Sequence, residues 1–322
     1  MGLQDLASPA IIGSFYEQLE DEWSKSWASQ IGWLNSGSNQ ETETYKWLGN
    51  VPKFREWIGG RSASHPSVES YSIRNKLWEQ TLEFSIDDLR RDKTGQIAIR
   101  IGELAQAGAA YWEDLLTALI NANGLAYDGK DFFDDDHPVK EATTGSTTVK
   151  NEITSTEVGA LNVSTATAPT SVEAANIISG LVGHFMTFTN DQGHLLNAQA
   201  RQFLLMVSTT NLWAPLVTAI SQTTLTSGEA NPVNGLKSMG YSFNVVLNPA
   251  ASTMATDDDI LIFRTDAKLK PFILQEEYGT KVSVIGAGSE EEFKNRRHLF
   301  GTERMGNAGY GLWQYAIRAT LS

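Results

Sequence analysis

Cysteine is absent from the 322 residues of this chain. That absence excludes disulfides, thiolate metal sites and a cysteine nucleophile together. Stability must therefore come from packing and association. No run of about 18 apolar residues occurs, so no transmembrane helix is expected. The first residues, MGLQDLASPAIIGSFYEQ, have neither a basic n-region nor a true apolar h-region, so no secretory signal is expected. Gly2 lacks the downstream Ser or Thr of a myristoylation signal. Positive charge is scarce: 25 Lys and Arg face 38 Asp and Glu, a formal net charge of −13. Gripping nucleic acid depends on Lys and Arg, so this balance argues against that task. An acidic surface instead keeps a chain soluble and lets polyanions slide past it.

Catalytic signatures are missing too. There is no G-x-S-x-G elbow, phosphate-binding P-loop or H-E-x-x-H pair. GAGSEE at 286–291 and GNAGYG at 306–311 both miss the G-x-G-x-x-G spacing. The five His, at 65, 137, 184, 194 and 298, form no i, i+3 or i, i+4 pair. The most metal-like cluster is Asp131, Asp134, Asp135, Asp136 and His137. Phe132 and Phe133 interrupt the alternation of oxygens that a calcium loop needs. A solvated acidic loop is the expected reading there, with a cation site as the alternative. Asp257 to Asp259 read as a turn, and Glu290 to Glu292 as a solvated face. Arg296 and Arg297, beside that acidic run, are expected to form ion pairs. No residue is assigned a catalytic, cofactor-binding or metal-ligating role.

What the chain does have is an unusual aromatic distribution. Six of its nine Trp precede residue 80: Trp23, Trp27, Trp33, Trp47, Trp57 and Trp78. Residues 9–34 carry a helical stripe of Ile12, Tyr16, Leu19, Trp23 and Trp27, with Ser8 as N-cap and Pro9 at the first position. The polar break NSGSNQETET follows at 35–44, so this helix sits on a tether, docked on its own domain or acting as an arm. The string YKWLGNVPKFREWIGGR at 45–61 reads as a strand and then a mini-helix. Pro52 opens that mini-helix, Phe54, Trp57 and Ile58 form its apolar face, and Gly59-Gly60 stops it. Leu82, Phe84 and Ile86 alternate with polar residues as in a strand. Residues 42–90 thus form a long two-stranded excursion, and an isolated hairpin buries its own rings poorly. Rings concentrated in such segments suit anchors between subunits: Trp23, Trp27, Trp47, Phe54, Trp57 and Trp78 are the candidate interface residues.

Residues 95–123 hold the longest helical signal, a rod of roughly 40 Å at ~1.5 Å per residue. Its middle is thin, with Gly102, Ala105, Ala107, Gly108, Ala109 and Ala110, which predicts close packing of a neighbouring element. The Thr- and Ser-rich stretch 141–170 reads as a long surface loop. A helix is expected over 171–187, a buried strand at 202–207, and a helix from STTNLWAPLVTAI. The strands YSFNVVLNP, DILIFR, PFILQEE and KVSVIG follow, and the chain ends in polar-aromatic β-structure. No repeat of 20–50 residues occurs.

Several strings together carry a specific resemblance. YKWLGNVPKFREWIGGR, SYSIRNKLWEQTLEFSIDDLRRD, YDGKDFFDDDHP and the C-terminal HLFGTERMGNAGYGLWQ resemble the major head (capsid) subunits of Mu-like bacteriophages and prophages. The match covers most of 40–138 and the last thirty residues; 141–290 match loosely. The resemblance implies an α+β chain with the Hong Kong 97-type phage capsid fold. It implies an N-terminal arm at 1–41 and an extended loop at 42–90. A peripheral domain would comprise 91–165 and 270–322, with the 95–123 rod as spine, and an axial domain 166–269. It implies a structural tile, not an enzyme, that forms pentamers and hexamers in an icosahedral virion shell around double-stranded DNA.

The implied partners are further copies of the chain, a separate scaffolding protein, a portal and a decoration protein, with packaged DNA touched weakly and non-specifically. No membrane and no cofactor is implied, and assembly would take place in the host bacterial cytoplasm. With some forty residues before the loop, no built-in scaffolding domain is expected. The covalent Lys–Asn cross-links of some relatives find no identifiable pair here. The competing readings are a phage DNA-processing or hydrolytic enzyme with an acidic metal site at 128–137, and a minor head or tail protein.

Overall fold

The computed structural model describes residues 6, 9–45, 71–92, 95–139, 147–190, 193–225, 228, 230–252 and 257–322. The element that organises it is a long helix. α1 (Pro9–Lys25) and the single turn α2 (Ala28–Ile31) lead into strand β1 (Gly32–Asn35). The expected single helix over 9–34 therefore ends at Lys25. The break has a cause in the neighbouring helix: Glu113 Oε1 accepts from the Ser26 hydroxyl at 2.7 Å and from the Trp27 backbone N–H at 3.2 Å. A carboxylate that captures these donors holds the bend. Gly32 then lets the chain approach closely, because a Cβ there would sit 2.6 Å from Leu274 Cδ1.

β2 (Thr42–Tyr45) pairs antiparallel with β3 (Tyr71–Arg74), the base of the expected excursion. Tyr45 is buried at this base, its hydroxyl donating to Gln275 Oε1 at 2.7 Å. β4 (Lys76–Ser85) and the short α3 (Ile86–Arg91) follow, and Ser85 caps α3 by accepting from the Asp88 N–H. α4 (Gln96–Ala122) is the predicted rod, 27 residues long. Left-handed backbone at Gly95 and Asn123 bounds it, and the Asp92 carboxylate accepts from the N–H groups of Gln96 and Ile97. Its thin middle is filled as expected. A Cβ on Gly108 would stand 3.3 Å from Leu19 Cδ1 of α1, and one on Gly102 2.5 Å from Gln18 Oε1.

The region expected as a surface loop, 141–170, is corrected over its described part. β5 (His137–Pro138) pairs with β6 (Thr148–Val149), and β7 (Glu152–Ile153) joins the second sheet. Val149, Ile153, Val158 and Leu161 are buried there. These apolar residues are spaced too widely among Thr and Ser to give a periodic signal, yet each reaches the core. α5 (Ser171–Phe185), β8 (Gln202–Val207), α6 (Thr210–Ser221), α7 (Pro232–Ser238), β9 (Ser242–Leu247) and β10 (Asp259–Arg264) agree closely with the expected elements where these were assigned. Asp257 and Asp258 form the expected turn, but Asp259 opens β10 and is fully buried. Arg318 and Thr320 hold it at 2.8 and 2.6 Å.

PFILQEE and KVSVIG are not two strands but one, β11 (Phe272–Ile285), whose register slips at Glu276/Tyr278 and Tyr278/Lys281. The irregularity around Gly279 is what split the sequence pattern. α8 (Glu290–Asn295), β12 (Arg297–Tyr310) and β13 (Ala316–Thr320) complete the chain. Two sheets result. One has the order β1-β11-β12-β4 and the other β7-β13-β10-β8-β9. The main core fills the space around the five-stranded sheet and the C-terminal half of α4. A smaller core, with Phe15, Phe84, Leu89, Ile97, Ile101, Leu104 and Phe300, lies between α1, the N-terminal half of α4 and the four-stranded sheet. Among the described residues no helix is long and apolar enough to cross a membrane.

Candidate interaction surface

Midway along α4 the packing against the four-stranded sheet opens into a cleft on both sides of Arg304. One cavity, of about 220 Å³, is lined by Trp78, Tyr111, Asp114, Leu115 and Glu303; the other, of about 290 Å³, by Tyr16, Leu19, Trp23, Leu34 and Trp112. Arg304 is the post between them. Its guanidinium lies 4.3 Å from the Tyr111 ring centre and 4.6 Å from that of Trp112, and it donates to Glu276 Oε2 at 2.7 Å. Cation–π stacking and a shielded ion pair hold it there. Burial pushes the Tyr111 phenol well above its ordinary value, against the pull of the Arg304 charge.

Trp78 forms the outer wall. Its ring meets Tyr111 edge-on at 5.5 Å, its indole N–H donates to the Gly306 carbonyl at 3.1 Å, and it stays 36% exposed. Trp23 is half-buried on the α1 side, so the structure brings Trp23 and Trp78 to opposite sides of one cleft. Trp27 is half-buried at the bend before α2 and packs on the main core. Trp47, Phe54 and Trp57 lie outside the described residues. Tyr111 and Arg304 are the residues that sequence reasoning missed. Tyr111 falls beside the apolar stripe of its helix, and Arg304 belongs to a strand whose pairing is not visible from spacing. The cleft thus combines aromatic walls, an acidic rim and one clamped guanidinium.

The acidic loop is only partly the solvated loop expected. Asp134, Asp135 and Asp136 face solvent wholly or in part, with Asp136 paired to Lys130 at 2.8 Å. Asp128 and His137 turn inward, and Phe132 and Phe133 are buried in the main core. His137 stacks on Trp313 at 3.8 Å and is flanked by Asp128 and Asn151. Folding the aromatic pair into the core is what pulls the flanking polar residues in with it. Among the described residues no group of three or more His, Asp or Glu side chains is placed to hold a metal ion. The two arginines pair as expected: Arg297 with Glu291 and Glu83 at 2.9 and 2.8 Å, Arg296 with Asp87 at 3.5 Å.

Comparison with known proteins matches this architecture to one family. The family model of the Mu-like prophage major head subunit gpT matches residues 14–166 and 244–321, well over half of the chain. The major capsid protein of Escherichia phage Mu is 34% identical over 117 residues, 35% of this chain and 38% of that protein. The Mu-like prophage FluMu major head subunit of Haemophilus influenzae is 36% identical over 104 residues, 32% of this chain and 34% of that protein. The aligned stretch thus spans little more than a third of either relative. The capsid subunit in the mature capsid of bacteriophage PhiM1 is only 12% identical but superposes over 92% of this chain and 87% of its own, with a TM-score of 0.53. That likeness identifies the fold, an α+β fold of the Hong Kong 97 type. The unmatched centre of the family model, 167–243, lies within the stretch where the sequence resemblance is loose. The chain belongs to the family of Mu-like prophage major head subunits.

Proposed function

We propose that this chain is the self-assembling major subunit of an icosahedral bacteriophage head that encloses double-stranded DNA. The observation that carries the reading is the family match on both flanks of the chain, which takes in α4 and all four strands of its sheet completely. In this reading 1–41 is the N-terminal arm and 42–90 the extended loop. Residues 91–165 and 270–322 form the peripheral domain around α4, and 166–269 the axial domain. The separation of the two sheets supports that division, with β7 and β13 as strands shared across it.

Trp23, Trp27 and Trp78, together with Trp47, Phe54 and Trp57, are the proposed subunit contacts. The partly exposed ring of Trp78 over an open cleft supports this. Many aromatic contacts of modest strength sum through a lattice. Net charge −13 suits a lumen that does not hold packaged DNA. The role is structural rather than catalytic. The proposed partners are copies of the chain in pentamers and hexamers, a separate scaffolding protein, a portal and a decoration protein. Assembly takes place in the host cytoplasm. Expression with a scaffolding protein, followed by negative-stain microscopy, tests the reading: closed shells, capsomers or tubes are expected. A compact monomer under all salt and pH conditions would count against it.

A further inference from the structure

β11 and β12 close in a tip at residues 286–296 that is unusually well built for a turn. Ser289 caps α8 by accepting from the Glu292 N–H at 3.2 Å, and the Glu292 carboxylate accepts from the Gly288 N–H. Arg297 bridges Glu291 and Glu83, Arg296 reaches Asp87, and the Arg296 carbonyl accepts from the Ile86 N–H at 3.1 Å. This frame holds an aromatic ring in water: Phe293 is 88% exposed. Every other described Phe is buried or half-buried. Burying such a ring is worth about 1.5–3 kcal/mol, so a rigid tip that displays it is built for a cover.

Beside the tip lies a cleft of about 330 Å³ between the end of β4, α3 and the first turn of α4. Phe84 and Ile97 form its floor, and Arg91 and Arg100 stand on its rim. Of its carboxylates, Glu83 is held by Arg297 and Asp92 by the backbone of α4, which leaves Asp88. Neither Arg91 nor Arg100 forms an ion pair among the described residues. On the tip, Glu290 stands three residues before Phe293 on the same face of α8, its carboxylate exposed with Lys294 as its partner. Since Phe293 is exposed, it does not fill the cleft of its own chain.

We propose that Phe293 of one copy seats in the Arg91/Arg100 cleft of a neighbouring copy, with Glu290 facing the two guanidinium groups. This rests on the reading of the chain as a head subunit and says which surfaces of that subunit meet. Tip and cleft share one corner of the molecule, tied by Arg296–Asp87 and Arg297–Glu83. A rotation axis beside that corner lets each copy give its tip to the next and receive another's, a contact that closes into a ring.

The absence of cysteine makes the test direct. A Phe293→Cys chain and an Arg100→Cys chain are co-expressed with scaffold, oxidised and run on a denaturing gel without reductant. The expected result is a covalent dimer in the mixture, well above that from either variant alone. Dimers from Phe293→Cys alone would put tip against tip and overturn the proposal. Particles visible by microscopy without mixed dimers overturn it while the head-subunit reading stands. A parent chain that stays monomeric, with no mixed dimer, overturns both. If the cysteine variants do not assemble, charge reversal decides. Glu290→Arg is expected to lower particle yield at least tenfold, and adding Arg100→Glu to restore it. A double variant no better than the single one sinks the pairing.

Discussion

His137 Nδ1 lies 2.8 Å from Asp128 Oδ2, with the two side chains 0% and 4% exposed. The pair fastens the turn after α4 to Trp313, on which the imidazole stacks, and to Asn151, whose amide oxygen faces His137 Nε2 at 3.1 Å. Asn151 in turn donates to the Phe132 carbonyl at 2.8 Å. One contact thus joins three stretches of chain that are distant in sequence. Removing one partner strands the other in a dry site. We expect Asp128→Ala to cost about 1–3 kcal/mol of folding stability, because it leaves a buried imidazole nitrogen without its partner. Double-mutant analysis with His137→Ala by chemical denaturation measures the coupling. Additive effects of the two substitutions would show that the pair is incidental.

A second expectation concerns acid. Glu173 closes the capping box of α5. Partial burial would raise its carboxyl, but hydrogen bonds from the N–H and hydroxyl groups of Thr170 and Ser164 outweigh this and hold it at about 2. A depressed folded-state value means stability that is full above the unfolded value, near 4.5, and is lost as pH falls toward about 2. The group is largely solvent-screened, so the effect is about 1 kcal/mol. Glu173→Gln should therefore flatten the melting-temperature profile between about pH 4.5 and 2 relative to the parent. Parallel profiles for the two proteins would refute this.

The parts of the fold legible in sequence were those with one dominant period. The stripe from Ile97 through Leu119 placed α4 almost to the residue, and the apolar run FLLMV after Gln202 placed β8. The small residues Gly102 and Gly108 foretold a close neighbour, and α1 is that neighbour. Legibility failed where a distant residue set the local structure. Glu113 breaks the helix after Lys25, and Arg318 draws Asp259 inside. Asn151 and the isolated apolar residues around it turn a Thr-rich stretch into part of the core. Trp23 and Trp78 could be flagged by residue type alone, whereas Arg304, which organises the cleft between them, needed the register of β12 against β4.

Two glycines with unlike surroundings give opposite expectations. At Gly102 an added methyl meets only the far end of Gln18, a flexible side chain on α1. Gly102→Ala should stabilise the rod by ~0.5–1 kcal/mol through helix propensity. At Gly306 the methyl would sit 2.5 Å from the backbone carbonyl of Gln275 across the strand pair. That oxygen cannot move without disturbing the sheet, so Gly306→Ala should destabilise by ~1–3 kcal/mol. Calorimetric melts of both variants, one above and one below the parent, are the expected result. A rise for both would mean that β12 has more room than the close approach implies.

Two of the three tryptophans that line Arg304's cleft, Trp112 and Trp78, separate folding from association. Trp112 is 3% exposed, packs in the main core and stacks with Arg304 at 4.6 Å. Trp112→Ala leaves a cavity where nothing can collapse freely, and should cost about 3–5 kcal/mol of stability. Trp78 keeps part of its ring in water and gives its chain one indole hydrogen bond and an edge contact with Tyr111. Its truncation should cost the isolated subunit only about 1 kcal/mol. If the exposed ring is covered by another copy, the larger loss falls on association, at ~2 kcal/mol or more per contact. Each contact repeats across a shell, so a modest loss per site becomes a large loss of assembled particles. The measurement sets the thermal melt of unassembled Trp78→Ala beside its particle yield under scaffold co-expression. A near-parent melt with few particles is expected. A collapsed melt would assign Trp78 to the core, and a parent-like yield would remove it from the contact surface.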